Sequence, residues 1–188
     1  MTFFTSRAAD GEEWFADDAP RFERSVREMQ LPHGALVLDL GCGTGRAMPM
    51  LQAAVGAAGL VIGLDATAAM LLEATRRGRR PVVLGDVLCL PFADRCADAI
   101  FAAGLLPHLE EPIAALAEMA RVSKLGAMLA LFHPIGRATL AARHGRALSD
   151  EDVLAPKRLA DLLERTGWHL RFLDDAAERY LALAQRQA

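Results

Sequence analysis

Short apolar runs alternate with longer segments of helical periodicity from residue 36 onward. Alternation of this kind is typical of β-α-β units, in which parallel strands form a sheet that helices cover on both faces. The predicted strands are residues 36–40, 60–64, 82–84, 99–102 and 127–132. Three helices are predicted between these strands. The first begins after the glycines at positions 41, 43 and 45, the second runs through residues 68–72 and ends at Gly78, and the third covers residues 113–122.

The last part of the chain predicts one more helix and an antiparallel hairpin. Pro156 stands where a helix can begin without its missing N–H, and Gly167 stands where that helix can end. Apolar runs at residues 168–173 and 180–184 flank an acidic turn and predict the two strands of the hairpin. The pattern as a whole therefore predicts an α/β fold with a seven-stranded, mostly parallel sheet.

Two segments are less regular than this core. Residues 12–30 predict an amphipathic helix, and we expect residues 1–30 to form a helical lid on a core of residues 31–188, within a single domain. Residues 133–155 show no clear period although they contain several glycines and arginines. We expect this segment to move or to contact the molecule that the protein acts on.

Length and charge narrow the class of protein. A chain of 188 residues has room for one sizeable core, and its net charge of −3 argues against a nucleic-acid partner. Its apolar runs stop short of the roughly 18 residues that a membrane span needs, and the acidic N-terminus lacks the pattern of a secretory signal. We therefore expect a cytoplasmic protein with no membrane partner, and its predominance of Arg over Lys is typical of a GC-rich bacterial genome.

The three cysteines, Cys42, Cys89 and Cys96, are odd in number and have no CxxC spacing. They lie in or beside apolar runs, which predicts reduced and mostly buried thiols. No metal site is predicted.

The main chemical signal is a glycine-rich turn at the junction between the first strand and the first helix of the core. Gly41, Gly43 and Gly45 form a G-x-G-x-G pattern with Asp39 two residues ahead of it. Glycines let the backbone turn sharply and let a ligand lie against the main chain. Asp65, twenty positions after Gly45, ends the second strand, where a carboxylate can accept both hydroxyls of a ribose. A carboxylate at Asp39 would repel a pyrophosphate and suits a cationic ligand.

Three stretches together, LDLGCGTG at 38–45, IGLD at 62–65 and GDVLCLPF at 85–92, resemble the class I S-adenosylmethionine-dependent methyltransferase family, specifically its type 11 branch. The resemblance extends from about residue 31 to the end of the chain. It implies a Rossmann-like sheet with a C-terminal antiparallel hairpin, methyl transfer from S-adenosylmethionine with S-adenosylhomocysteine as the product, and no metal.

The resemblance also implies where the cofactor lies. The glycines and Asp39 would contact its methionine portion, Asp65 its ribose, and Asp86 the amino group of its adenine. Asp86 equally suits the cap of a turn after its strand. The residues with implied cofactor contacts are Asp39, Gly41, Cys42, Gly43, Gly45, Asp65, Ala66, Met70, Asp86, Val87 and Ala103. Two positions depart from the family pattern, since Ala103 stands where an Asn is frequent and Pro107 where a His is frequent.

The sequence says less about the residues that would contact the methyl acceptor. His108 is the candidate general base, with His133 as a second candidate, because an imidazole titrates in the useful range. Both histidines also suit partly buried loop positions. Arg137, Arg143 and Arg146 could attract an anionic acceptor or belong to an ordinary surface. The short chain favours a small-molecule methyl acceptor, and either a monomer or a homodimer is compatible with it.

Two other functions remain open. A nicotinamide-dependent oxidoreductase would share the sheet architecture, although its glycine spacing is usually G-x-G-x-x-G. A non-catalytic module that binds S-adenosylmethionine is compatible with the substitutions at Ala103 and Pro107.

Overall fold

Seven strands form one sheet in the computed structural model, which describes residues 18–187. The strands are β1 Leu36–Leu40, β2 Leu60–Asp65, β3 Val82–Leu84, β4 Ala97–Ala103, β5 Ser123–His133, β6 Trp168–Ala176 and β7 Arg179–Arg186. The α-helices are α1 Ala19–Glu28, α2 Met48–Val55, α3 Ala68–Arg76, α4 Pro112–Val122, α5 Arg137–Arg143 and α6 Pro156–Arg165. A 3₁₀ helix covers Leu106–His108.

The strand order is β3-β2-β1-β4-β5-β7-β6. β1 to β5 run parallel, and β7 lies antiparallel between β5 and β6. The predicted mostly parallel sheet with its C-terminal hairpin is therefore confirmed. The order reverses between β1 and β4, and ligands of open α/β sheets bind in the crevice beyond such a reversal. The carboxyl ends of β1 and β4 thus mark the place to look for a site.

Two apolar clusters cover the two faces of the sheet. Successive residues of a strand point to opposite faces, so Val37 joins one cluster and Leu38 the other. On one face α1 and α2 pack on the central strands, and Phe22 of α1 lies 4.6 Å from Phe132 between ring centroids. On the other face α4 and α6 pack against the sheet around the fully buried Trp168.

The described part of the predicted lid belongs to the core. Val26 and Met29 are buried in the same cluster as Phe22. Arg179 of β7, which is 3 % exposed, donates to Asp174 at 2.6 Å and forms an ion pair of 2.9 Å with Glu28 of α1. α1 is thereby fixed to the C-terminal hairpin. Residues 1–17, where the rest of the predicted lid falls, lie outside the described residues.

The segment predicted to be irregular, residues 133–155, contains the helix α5, so that part of the prediction is wrong. α5 was hidden because it buries only Arg137 and Ala141, which make no apolar stripe. One cysteine also differs from expectation, since Cys89 is exposed in the turn after β3 whereas Cys42 is buried. Among residues 18–187 no helix is long and apolar enough to cross a membrane.

Candidate cofactor and acceptor site

The glycine turn after β1 is held in place by the carboxylate that ends β2. Gly43 N–H donates to Asp65 Oδ2 at 2.8 Å, and Thr67 N–H donates to Asp65 Oδ1 at 2.8 Å. Parallel pairing of β1 with β2 brings these residues together, because it sets Leu40 beside Leu64 at the carboxyl end of both strands. Each carboxylate oxygen can accept more than one hydrogen bond. Asp65 therefore shapes the turn and keeps acceptor capacity toward the crevice.

Gly43 and Gly45 differ in the space that a side chain at each position would enter. Both have positive φ, +55° at Gly43 and +75° at Gly45. A Cβ on Gly45 would lie 2.9 Å from Met48 Sδ and 3.0 Å from Arg79 Cδ, so this glycine is required by packing. A Cβ on Gly43 would meet no atom of residues 18–187 within 4 Å. The backbone at Gly43 thus faces open space in which a ligand can lie against the main chain.

Asp39 is a buried carboxylate beneath the turn, only 1 % exposed. Burial, together with the nearby charge of Asp65, raises the pKa of Asp39 to about 7. Its Oδ2 atom has no hydrogen-bond partner among residues 18–187. A buried acceptor without a partner is unfavourable, and a cationic ligand in the turn would offset this by favouring the ionised form.

Cys42 and Gly41 connect the turn to the neighbouring elements. The Cys42 thiol is buried against Gly63 of β2, and burial raises the pKa of the thiol, with Asp39 and Asp65 acting in the same direction. Cys42 is therefore a packing thiol, and its N–H is already bonded to Leu64 O at 3.0 Å. At Gly41 a Cβ would lie 3.0 Å from the Leu105 side chain.

The loop after β3 carries Asp86 and Val87. Asp86 is exposed and its Oδ1 accepts from Leu88 N–H at 2.9 Å, so it caps the turn, while Val87 is buried. Arg121 of α4 holds the continuation of this loop by donating to Leu90 O at 3.0 Å. Of the other predicted cofactor residues, Met70 is buried in α3 and Ala66 is exposed just before it. The structure thus brings the predicted cofactor residues after β1, β2 and β3 to one edge of the sheet.

The remaining predicted site residues lie at the ends of β4 and β5. Ala103 is half-buried at the end of β4, and His108 is exposed on the 3₁₀ helix that follows. His133 is the last residue of β5 and is partly buried. The structure brings these three predicted positions to neighbouring strand ends.

The predicted arginine group on this side does not form a shared surface. Arg137 is 7 % exposed, and its guanidinium donates to Ser149 O at 2.5 Å and pairs with Asp152 and Asp175. It ties α5 to the hairpin and is engaged inside the protein, which corrects its assignment as a candidate acceptor contact. Arg143 and Arg146 are exposed.

Sequence reasoning missed Arg79 as a contributor to the site. Arg79 belongs to a run of arginines at the end of α3, with Arg76, Arg77 and Arg80, and such a run predicts a solvated helix end. Arg79 is instead partly buried and its Nη1 donates to Thr44 O in the glycine turn at 2.8 Å. Gly78, at φ +75°, reverses the chain just before it. No local pattern in the sequence indicates which arginine of the run faces the turn.

A doubly covered sheet with a glycine turn after β1 and a carboxylate after β2 defines a nucleoside-binding α/β protein. Residues 38–131, half of the chain, match the model of a family described as methyltransferase domain. The chain belongs to this family, within the class I S-adenosylmethionine-dependent methyltransferases of type 11.

The names of the relatives refer to different methyl acceptors. The chain is 36% identical over 110 residues to a demethylmenaquinone methyltransferase of Staphylococcus carnosus, covering 56% of this chain and 46% of that protein. It is 33% identical over 140 residues to a mouse protein named "Probable tRNA methyltransferase 9B", covering 73% of this chain and 28% of that protein. The chain thus spans less than half the length of these curated relatives.

A solved structure of an S-adenosylmethionine-dependent methyltransferase from Aquifex aeolicus has the same fold over nearly the whole chain. The TM-score is 0.80 at 24% sequence identity, covering 97% of this chain and 98% of that one. At this identity the likeness concerns the fold alone.

Proposed function

We propose that this protein transfers a methyl group from S-adenosylmethionine to a small-molecule acceptor. The observation that supports the proposal most directly is the open face of Gly43, next to a carboxylate in position to hold a ribose. The Oδ2 atom of buried Asp39, which has no hydrogen-bond partner in the described part of the chain, fits the same ligand, because S-adenosylmethionine carries an ammonium and a sulfonium. The residues present therefore fit the cofactor.

Each part of the cofactor is assigned to the residues that follow one of the strands. Gly41, Gly43, Gly45 and the backbone of Cys42 hold the methionine portion above Asp39. Asp65 holds the ribose with the acceptor capacity that the turn leaves free. Ala66, Met70, Asp86 and Val87 surround the adenine, and the backbone at Ala103 closes the side toward the acceptor. When bound, S-adenosylmethionine supplies a methyl group activated by its sulfonium.

The chain's own contribution to such a reaction is mainly alignment. Methyl displacement spreads charge, so holding donor and acceptor in line can supply much of the rate. Fixed backbone at the glycine turn sets the position of the donor. The ends of β4 and β5, with His108 on the 3₁₀ helix, set the position of the acceptor. His108 and His133 are the two candidate general bases at these strand ends.

The small-molecule acceptor is supported by the relative named as a demethylmenaquinone methyltransferase. The relative named as a tRNA methyltransferase represents the competing acceptor class. The net charge of −3 is unfavourable for a polyanion. Methylation of tRNA or protein far above any small molecule would overturn this part of the proposal.

The cofactor is tested by calorimetric titration with S-adenosylhomocysteine and S-adenosylmethionine. We expect micromolar binding, and a loss of about 100-fold in Asp65→Ala, on the order of 2.7 kcal/mol. Asp161→Ala, an exposed carboxylate of α6, is the matched control and should bind as the wild type does. Binding of NADH with no binding of either adenosyl ligand would replace the proposal with a nicotinamide-dependent function.

A further inference from the structure

His133 occupies the point where β4 and β5 end side by side. It is the last residue of β5 and pairs in register with Tyr180 of β7. Its ring edge at Cδ2 faces Gly104, the residue after β4, at 3.8 Å from the position of a Cβ there. The ring therefore borders the crevice on the side away from the glycine turn.

The orientation of this ring is fixed by a local contact. His133 Nδ1 lies 2.9 Å from Ile135 O, and Ile135 N–H donates toward the same Nδ1 at 3.2 Å, so the two contacts favour opposite tautomers. Donation from Nδ1–H to the carbonyl is the shorter of the two contacts, and it leaves Nε2 with a free lone pair. This arrangement is the usual way in which proteins select a histidine tautomer.

Nothing within residues 18–187 is hydrogen-bonded to Nε2, and Nε2 is not a buried atom. Burial of the ring lowers the pKa of His133 below the ordinary histidine value, so the imidazole is neutral at neutral pH. The charged groups that act on it come from three elements: Asp18 before α1, His108 on the 3₁₀ helix and Arg143 of α5. Tyr180 faces it from β7.

We propose that His133 is the general base of the reaction and that the acceptor presents to it a weakly acidic hydroxyl of the phenol or enol type. This inference rests on the proposed function, since it needs a bound methyl donor on the glycine side of the crevice. His133 sits on the half of the strand ends that the cofactor residues leave unused. A neutral imidazole with a free, reachable Nε2 is the group that such a hydroxyl requires.

The step balances without a further reactant. The acceptor's O–H bond breaks, its proton moves to His133 Nε2, and its electron pair remains on oxygen. That oxygen forms a bond to the methyl carbon while the S–CH₃ bond of the donor breaks and its electron pair goes to sulfur. The products are a methyl ether, a thioether and an imidazolium, which returns its proton to water.

His133 fits this role better than His108 does. His108 is exposed on a three-residue 3₁₀ helix, whereas His133 is partly buried on a strand and anchored through Nδ1. A base that must meet a proton at a fixed position gains from such anchoring. An imidazole also matches a phenolic hydroxyl better than the much less acidic hydroxyl of an alkyl alcohol.

The first test is nuclear magnetic resonance of the five histidines in protein labelled with ¹⁵N in the imidazole rings. His133→Asn assigns the His133 signals and keeps a side chain that can bond Ile135 O. We expect an unprotonated Nε2 at pH 7.5, a His133 pKa below the ordinary histidine value, and a shift of the Nε2 signal when catechol is added to protein saturated with S-adenosylhomocysteine. Protonation at Nε2, or no response to catechol, would overturn the proposal.

The second test uses catechol as the acceptor and His133→Gln, which has an amide in place of the base. We expect kcat to fall about 100-fold while the Kd for S-adenosylhomocysteine stays within twofold. Wild-type kcat/KM should rise with pH and level off near the His133 pKa, and the variant should lose this rise. His169→Asn is the control for loss of an exposed histidine.

The outcomes separate the two proposals. Absence of S-adenosylhomocysteine binding to the wild type would remove the proposed function itself. Cofactor binding without methylation of catechol would remove the hydroxyl class, and a fully active His133→Gln would remove the base.

Discussion

The two halves of the crevice are built by different kinds of contact. In the cofactor half, at the ends of β1, β2 and β3, side chains bond to backbone, as Asp65 does with Gly43 N–H and Arg79 with Thr44 O. In the acceptor half, at the ends of β4 and β5 and in residues 104–155, side chains form ion pairs, as Arg137 does with Asp152 and Asp175. The bonds from side chains to backbone hold a main-chain surface in place, and the ion pairs hold the helix α5 against the C-terminal hairpin.

This difference separates binding of the cofactor from adaptation to the acceptor. A surface made of backbone depends on a few glycines and carboxylates, whereas side-chain contacts can change with the molecule to be methylated. We therefore expect substitutions in the cofactor half to change cofactor affinity strongly, and those in the acceptor half to change stability or acceptor use while cofactor affinity is kept.

The largest effect is expected for Gly43→Ala. A Cβ there enters the open space above the turn, so the Kd for S-adenosylhomocysteine should rise about 100-fold, or about 2.7 kcal/mol. The positive φ adds a loss of about 1 kcal/mol in the free energy of unfolding. Calorimetry and urea unfolding measure the two quantities.

Gly34→Ala is the matched control, because Gly34 also has positive φ with open space around it but lies in the loop before β1. It should lose similar stability and keep cofactor affinity. Equal loss of affinity in both variants would show that backbone strain, and not the open face of Gly43, controls binding.

In the acceptor half, Arg137→Met should lower the free energy of unfolding by about 2 kcal/mol, because Asp152, Asp175 and Ser149 O lose a buried guanidinium. The Kd for S-adenosylhomocysteine should stay within twofold. Arg158→Met, an exposed arginine paired with Glu151, is the control and should change stability by less than about 0.5 kcal/mol. Loss of cofactor affinity in Arg137→Met would contradict the separation of the halves.

The smallest effect is expected for Asp39→Asn, and it depends on pH. The folded pKa of Asp39, about 7, is above its unfolded value, so the folded protein binds the extra proton and the free energy of unfolding falls as pH rises toward 7. Because Asn at this position cannot ionise, the variant should not show this decrease in the free energy of unfolding. The variant should be more stable above pH 7 by on the order of 1 kcal/mol, since its amide must still find partners.

The same variant should bind S-adenosylhomocysteine about tenfold more weakly, or about 1.4 kcal/mol, through loss of a carboxylate near the ammonium. Urea unfolding at pH 6 and pH 8.5, with Asp161→Asn as an exposed control, measures the stability effect. An unchanged pH dependence in Asp39→Asn would mean that Asp39 is ionised in the folded protein.

The predictability of the fold followed the strength of local patterns. The strands β1, β2 and β3 were predicted almost to the residue, because each is a short apolar run that ends at a glycine or an aspartate. α5 could not be predicted, since its place depends on ion pairs of Arg137 with Asp152 and Asp175, the latter 38 positions away. The residues of the site were predictable to the same degree as the elements that carry them. The glycine turn and Asp65 were visible, while the contact of Arg79 with Thr44 O was not.

The sequence by itself determined the parallel sheet, the turn after β1 and the carboxylates Asp39 and Asp65, because these follow from hydrophobic period and from glycine at fixed spacing. Only the tertiary structure decided which side chains meet across elements. It placed Arg79 on the turn, buried Arg137 and Arg179 in ion pairs, and set the His133 ring against Gly104. Such contacts join residues far apart in the chain, and their geometry depends on how helices pack on the sheet.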